Sequence, residues 1–367
     1  MRRYGDKALA LVLIGLLALS LYAAAEITAG PNGVLNRVNA ILEQVQEIRG
    51  LHFKEKPKIV LITRAQALAM WKPGKPDLEK LHEEEMIYKM TLLLPPDYQF
   101  IREENENRAG WIAATVGDTI YIIRENFFGD EATAERTIAH ELTHVLQKQW
   151  FNARYGANTS DGTLAVKALV EGDADLVADI YCERNGIPIH KIRSLTGKPT
   201  TDLDIFPYVY GDRFVRYLYK KGGWKLVNSA YSHYPDSTLE VMVPELYLGN
   251  FTPDTVRVDV PNGSKVLWDD RAGAFYVYVL LRDVAKLDNE TAWNVSTAWR
   301  GDRLILAVNG TEYTLVWRVI FSSEEAAMKF GETLEKLARG NDYAAYTIII
   351  SGREVTLKAV RGVRNEA

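Results

Sequence analysis

The chain is short of several things that would narrow its chemistry. It has one cysteine, Cys182, in 367 residues, so it can form no internal disulfide. A single cysteine fits any redox compartment and identifies none. It has no surplus of basic charge: with a formal net charge of −4 and intermixed signs, it presents no basic stripe. That argues against nucleic-acid binding. No Gly-rich phosphate loop, nucleophile elbow, internal repeat or second metal-binding cluster occurs. Histidine is scarce, six in all, and His52, His82 and His190 have no partner at metal-binding spacing.

Two of the remaining histidines stand together in His140-Glu141-Leu142-Thr143-His144. The run Glu131–Gln149 has helix formers, no Gly or Pro, and Asp130 ahead of it as a natural N-cap. On a helix, residues four apart share a face with Cβ atoms about 6 Å apart, so both imidazoles can reach one metal ion. Glu141, next to the first of them, sits beside that ion without having to bind it, where a carboxylate can take a proton from an activated water.

Two histidines leave a zinc site incomplete, so a third ligand is required. The positions where a metzincin would place Gly and a third His hold Gln147 and Trp150, which excludes that class. The next acidic helix is expected over Leu164–Glu183, stopped by Asn185-Gly186 and Pro188. It contains Glu171 and Asp175 on one face at i,i+4. Such a pair suits one carboxylate on the metal and one hydrogen-bonded to a ligand histidine from outside. Cys182 lies roughly three turns further on and reads as core packing.

His-Glu-x-x-His followed by a helix bearing Glu-x-x-x-Asp resembles the gluzincins, the thermolysin-like zinc peptidases. The resemblance implies a zincin-like catalytic domain. It assigns His140, His144 and Glu171 as Zn²⁺ ligands, Glu141 as general base, and Asp175 as the partner of a ligand histidine. It also implies that an edge strand beside the metal pairs with the substrate backbone. The candidates for that are Ile112, Ala113 and Ala114, in the first of two strands expected at Trp111–Thr115 and Thr119–Arg124 around Gly117-Asp118. An oxyanion must also be stabilised, for which Tyr210 and His233 are candidates, with Tyr210 preferred. Further stretches resemble a group of exported bacterial and archaeal zinc peptidases whose substrates are not established. They include Arg49-Gly50-Leu51, Gly222-Gly223-Trp224, Trp299-Arg300-Gly301-Asp302-Arg303 and Val316-Trp317-Arg318.

Arg2, Arg3 and Lys7 precede an uncharged apolar run from Ala8 to Ala25 that ends in Ala23-Ala24-Ala25. This is the layout of a signal peptide. As a helix of about 27 Å the run also suits a retained anchor. Either way, the positive end stays inside and everything after Glu26 is expected outside the cytoplasm, secreted or membrane-anchored. Asn-x-Ser/Thr triplets at Asn158, Asn250, Asn262, Asn289, Asn294 and Asn309 exceed the one or two that composition predicts, and Asn-Gly turn chemistry explains at least two of them.

The expected architecture is α+β. Residues 26–102 form an N-terminal α/β lobe: an amphipathic helix over Asn32–Ile48, a strand over Lys58–Ile62, a Thr63-capped helix to Trp71 and a helix over Asp77–Leu93. Residues 103–260 form the catalytic domain and 261–367 a C-terminal α+β portion. In the latter, helices are expected over Arg271–Lys286 and Trp293–Trp299, a hairpin turns at Asn309-Gly310, Ser323 caps a helix to Arg339, and two last strands meet at Ser351-Gly352. The expected function is zinc-dependent hydrolysis of a peptide or protein substrate. The alternative is a non-catalytic exported protein with a structural zinc.

Overall fold

A computed structural model describes residues 31–70, 78–98, 113–127, 131–260 and 262–362. The apolar run of residues 8–25, Asp130 and Ile112 lie outside the described residues. In chain order the elements are α1 (Pro31–Arg49), β1 (Lys58–Ile62), α2 (Arg64–Met70), α3 (Leu78–Met90), β2 (Ala113–Val116), β3 (Thr119–Ile123), α4 (Arg124–Phe127), α5 (Glu131–Phe151), α6 (Ser160–Asn185) and α7 (Pro199–Ala230). They continue with α8 (Thr238–Met242), α9 (Pro244–Leu248), β4 (Lys265–Asp270), α10 (Gly273–Val279, running into a π-helical turn Leu280–Val284), α11 (Asn289–Thr297), β5 (Trp299–Asn309), β6 (Glu312–Phe321), α12 (Glu324–Ala338), β7 (Ala345–Ser351) and β8 (Glu354–Gly362). The fold is α+β. Among the described residues no helix is long and apolar enough to cross a membrane.

The chain divides into two compact units. One comprises residues 1–72, 110–149 and 177–190; the other comprises residues 73–109, 150–176 and 191–367. Strand β1 pairs in parallel with β3 and so joins the sheet of the hairpin.

In the first unit that sheet runs β1-β3-β2, with β2 antiparallel to β3 and at the edge. The two strands turn at Gly117-Asp118, where Gly117 takes φ +66°, a backbone conformation that glycine reaches at little cost. Ile62, Ala67 and Ile123 pack together beneath Val60 and Tyr121. Thr63 and Gln66 cap α2 reciprocally: the Gln66 N–H donates to Thr63 Oγ1 (3.1 Å) and the Thr63 N–H donates to Gln66 Oε1 (2.8 Å). Helix α1 buries Val34, Val38, Ile41, Leu42, Val45 and Ile48, the stripe its sequence spacing predicts.

In the second unit β4-β5-β6-β8-β7 form a wholly antiparallel sheet. Its anchor is Asp302, 4% exposed, which accepts from the Ala272 and Gly273 N–H groups (both 2.8 Å) and from the Trp299 and Trp317 indoles (2.9 and 3.0 Å). Four donors satisfy a carboxylate that would be costly to bury alone, although burial still raises its pKa. Ser323 caps α12 by accepting from the Ala326 N–H (3.2 Å), as expected. Helix α7 is broken at Gly222-Gly223, whose dihedrals are not helical. Strand β4, which the sequence pattern does not predict, lies at the sheet edge and pairs with β5. All six asparagines of the Asn-x-Ser/Thr triplets are exposed.

Candidate metal centre

Helix α5 is two residues longer than expected, and its inner face is packed solid: Ala134, Ile138, Ala139, Leu142, Val145 and Leu146 have no exposure. That packing fixes the rotation of the helix and therefore the direction of His140 and His144. Their Nε2 atoms lie 3.0 Å apart, with the rings nearly perpendicular. Two imidazoles so placed can share one ion, since tetrahedral Zn–N bonds of about 2.0–2.1 Å put the nitrogens roughly 3.3 Å apart.

Helix α6 begins four residues earlier than its periodicity predicts. Thr159 Oγ1 accepts from the Gly162 N–H (3.0 Å) and holds the first turn. The helix stops where expected: Gly186 takes φ +66° and the Ile187 N–H reaches back to the Cys182 carbonyl (2.9 Å). Its C-terminal half is locked to α5 by Arg136, whose Nε and Nη2 donate to Asp179 Oδ1 (3.0 and 2.8 Å). Both side chains of that pair are buried. Tyr181 adds a bond from its hydroxyl to Glu135 Oε2 (2.7 Å).

Two turns before Asp179 on this continuous helix is Glu171. Ligand atoms of His140, His144 and Glu171 lie within 4.8 Å of one another, so these three could hold a metal ion. Among the described residues no fourth His, Cys, Asp or Glu belongs to the group.

Residues 102–150 match the eCIS core domain. That domain is metallopeptidase-like, and the match covers His140, Glu141 and His144 but ends before Glu171. Residues 265–362, which run from β4 to β8, match a domain of unknown function, DUF8575. No curated protein and no solved structure matches the chain.

Within the eCIS core match, local bonds give Thr115 and Gln147 contacts to Glu141 and His144. Thr115, on β2, donates from Oγ1 to Glu141 Oε2 (2.6 Å) and so orients that carboxylate. Gln147 Oε1 lies 2.8 Å from His144 Nδ1. The Gln147 contact was legible in principle, since i,i+3 residues on a helix are neighbours. Nothing in the sequence connects Thr115 to a helix 26 positions on.

Asp175 is 3% exposed and one turn beyond Glu171, on the same helix face. Ala113 is buried and pairs with Ile122, and Ala114 pairs with Tyr121, both on the edge strand. Tyr210 is 5% exposed and sits in an aromatic cluster of the second unit, stacked on Phe206 and Trp293 and edge-on to Phe275, with Arg213 over its ring. Burial and the neighbouring Tyr278 raise its phenol well above the ordinary tyrosine value. Its ring carries no sequence signal that would distinguish a packing residue from a site residue. His233 is exposed, its Nδ1 3.4 Å from the Ser229 carbonyl. Cys182 is fully buried and its thiol is pushed up to about 11 by burial, which leaves it inert at neutral pH.

Close packing fixes the backbone of α6 beside Glu171. A Cβ on Gly172, next to Glu171, would lie 2.1 Å from the Gly211 carbonyl oxygen, and one on Gly211 would lie 2.3 Å from that of Ala168. The backbones of α6 and α7 therefore touch there, and no larger residue fits at either position. Asp173 is held by the Tyr231 hydroxyl (2.7 Å), and Tyr231 in turn stacks on Phe151.

Proposed function

We propose that this chain is a zinc metallopeptidase, hydrolysing peptide bonds at His140, His144, Glu171 and Glu141. The observation that carries the reading is a three-donor set with a carboxylate residue beside its first ligand. Structural zinc sites are closed by four protein ligands, whereas hydrolytic ones use three and keep a position open. Three donors among the described residues therefore favour the enzyme over the structural-zinc alternative. Two imidazole nitrogens and one carboxylate oxygen are a donor chemistry that suits Zn²⁺.

A bound ion would supply Lewis acidity for the scissile carbonyl and bring the pKa of a water towards about 7. Everything else falls to the chain's own side chains. Thr115 holds Oε2 of Glu141, which leaves Oε1 to accept the proton of the attacking water and pass it to the leaving amine. Asp175 is given the task of holding a ligand histidine from outside. Strand β2, paired on one side only among the described residues, offers the backbone of Ala113 and Ala114 to an extended peptide. The substrate is a peptide or protein. The site of action is outside the cytoplasm, a reading that rests on the basic-then-apolar start of the sequence.

The test is the full chain with Zn²⁺ and a mixed-peptide library, read by mass spectrometry. Glu141→Gln should bind zinc as tightly as the wild type while cleavage falls at least about 100-fold, the lower end of what a positioned base contributes. Undiminished cleavage by that variant would remove Glu141 as the base.

A further inference from the structure

The helix that carries both histidines also carries Gln147, one turn beyond His144 and 1% exposed. We propose that Gln147 is a positioning residue that sets the tautomer and ring orientation of His144 for metal binding. The proposal rests on the metal-site reading above.

An amide oxygen only accepts hydrogen bonds, and Gln147 Oε1 stands 2.8 Å from His144 Nδ1, so Nδ1 must carry the proton. The neutral imidazole then keeps its lone pair on Nε2. That is the atom 3.0 Å from His140 Nε2, facing the point the two rings share. In the opposite tautomer two lone pairs would meet at the Gln147 contact, and the atom meant to bind a cation would carry a proton.

Direction follows as well as protonation. A ring pinned at Nδ1 cannot turn about its Cβ–Cγ bond without breaking the bond to Gln147. Because both residues lie on α5, the i,i+3 geometry brings the amide to the ring. Gln147 is buried, so no bulk water can replace its oxygen. Partners of this kind typically contribute 10–100-fold to metal affinity.

The experiment uses the full chain as wild type, Gln147→Leu and Gln147→Glu, with Zn²⁺ alone as the probe in a chelator competition. Nitrogen-15 NMR of the His144 ring in the zinc-free wild type provides a second reading. Gln147→Leu keeps the size and removes the acceptor, and should weaken zinc binding by about 10–100-fold. Gln147→Glu keeps an acceptor and should bind within a few-fold of the wild type. The wild-type ring should show its proton on Nδ1. The proposal is overturned if Gln147→Leu binds zinc like the wild type, or if the two variants are equally weak. It is overturned independently, even should Gln147→Leu fail to fold, by a wild-type His144 protonated on Nε2 alone. Failure of the wild type to bind zinc would sink the metal reading instead, while the ring tautomer would still report on Gln147.

Discussion

Replacing Gly172 with alanine sets two opposing effects against each other, and the geometry decides between them. In a helix interior alanine is preferred to glycine by about 0.8–1.0 kcal/mol, so on propensity alone the change stabilises α6. The new Cβ, however, would stand 2.1 Å from the Gly211 carbonyl oxygen, 2.4 Å from its carbon and 2.9 Å from Val215 Cγ2. The first two are backbone atoms of a packed helix, not the mobile end of a side chain. Reaching even 3.0 Å requires an opening of about 0.9 Å at the crossing. Overpacking of this kind costs typically 1–3 kcal/mol, occasionally more, so after the propensity gain the net expectation is a loss of up to about 2 kcal/mol. The same displacement acts on the neighbouring residue, Glu171, which is one of the three proposed ligands. Zinc affinity should therefore fall together with stability. Urea denaturation of the zinc-free protein measures the first, and chelator competition the second. A Gly172→Ala chain that is more stable than the wild type and binds zinc equally well would refute the close-contact argument.

Two further perturbations test the frame around the site. Asp179→Ala leaves the buried Arg136 guanidinium without its carboxylate and should cost about 3–5 kcal/mol by denaturant titration. Replacing both residues with apolar side chains of similar volume should recover most of that loss, and a single variant within 1 kcal/mol of the wild type would show that the pair does not lock the helices. Asp161, fully buried against Arg271 and Thr238, has its carboxyl pushed from 3.8 to about 7 by burial. The folded state thus holds this proton more tightly than the unfolded one, so the contribution is complete below about pH 4 and is lost as pH rises through 7. The stability advantage of the wild type over Asp161→Asn should narrow between about pH 4 and pH 7, and parallel curves would rule this out.

The features legible in the sequence are those with a local cause. The His140–His144 face follows from helical spacing, the Thr63 and Ser323 caps from side chains that bond three residues on, and the turn at Gly117-Asp118 from its glycine. What escaped depends on contacts between distant segments. Strand β4 exists because β5 pairs with it, and its own residues carry no decisive period. The need for glycine at Gly172 appears only when α7 lies against it. Thr115 becomes a partner of Glu141 only through the placement of a strand beside a helix. Tyr210 likewise sits in an aromatic cluster that the sequence does not announce.

Helices α5 and α6 follow one another in the chain, with only residues 152–159 between them. The entropy of closing so short a connection is small, and pairs that are near in sequence tend to form early. The imidazoles and the carboxylate can therefore meet as soon as α6 has been synthesised, while β4 to β8 are still to be made. A nascent chain that captured a cation at that stage would fold the remaining 180 or so residues around it, with no need to admit the ion afterwards.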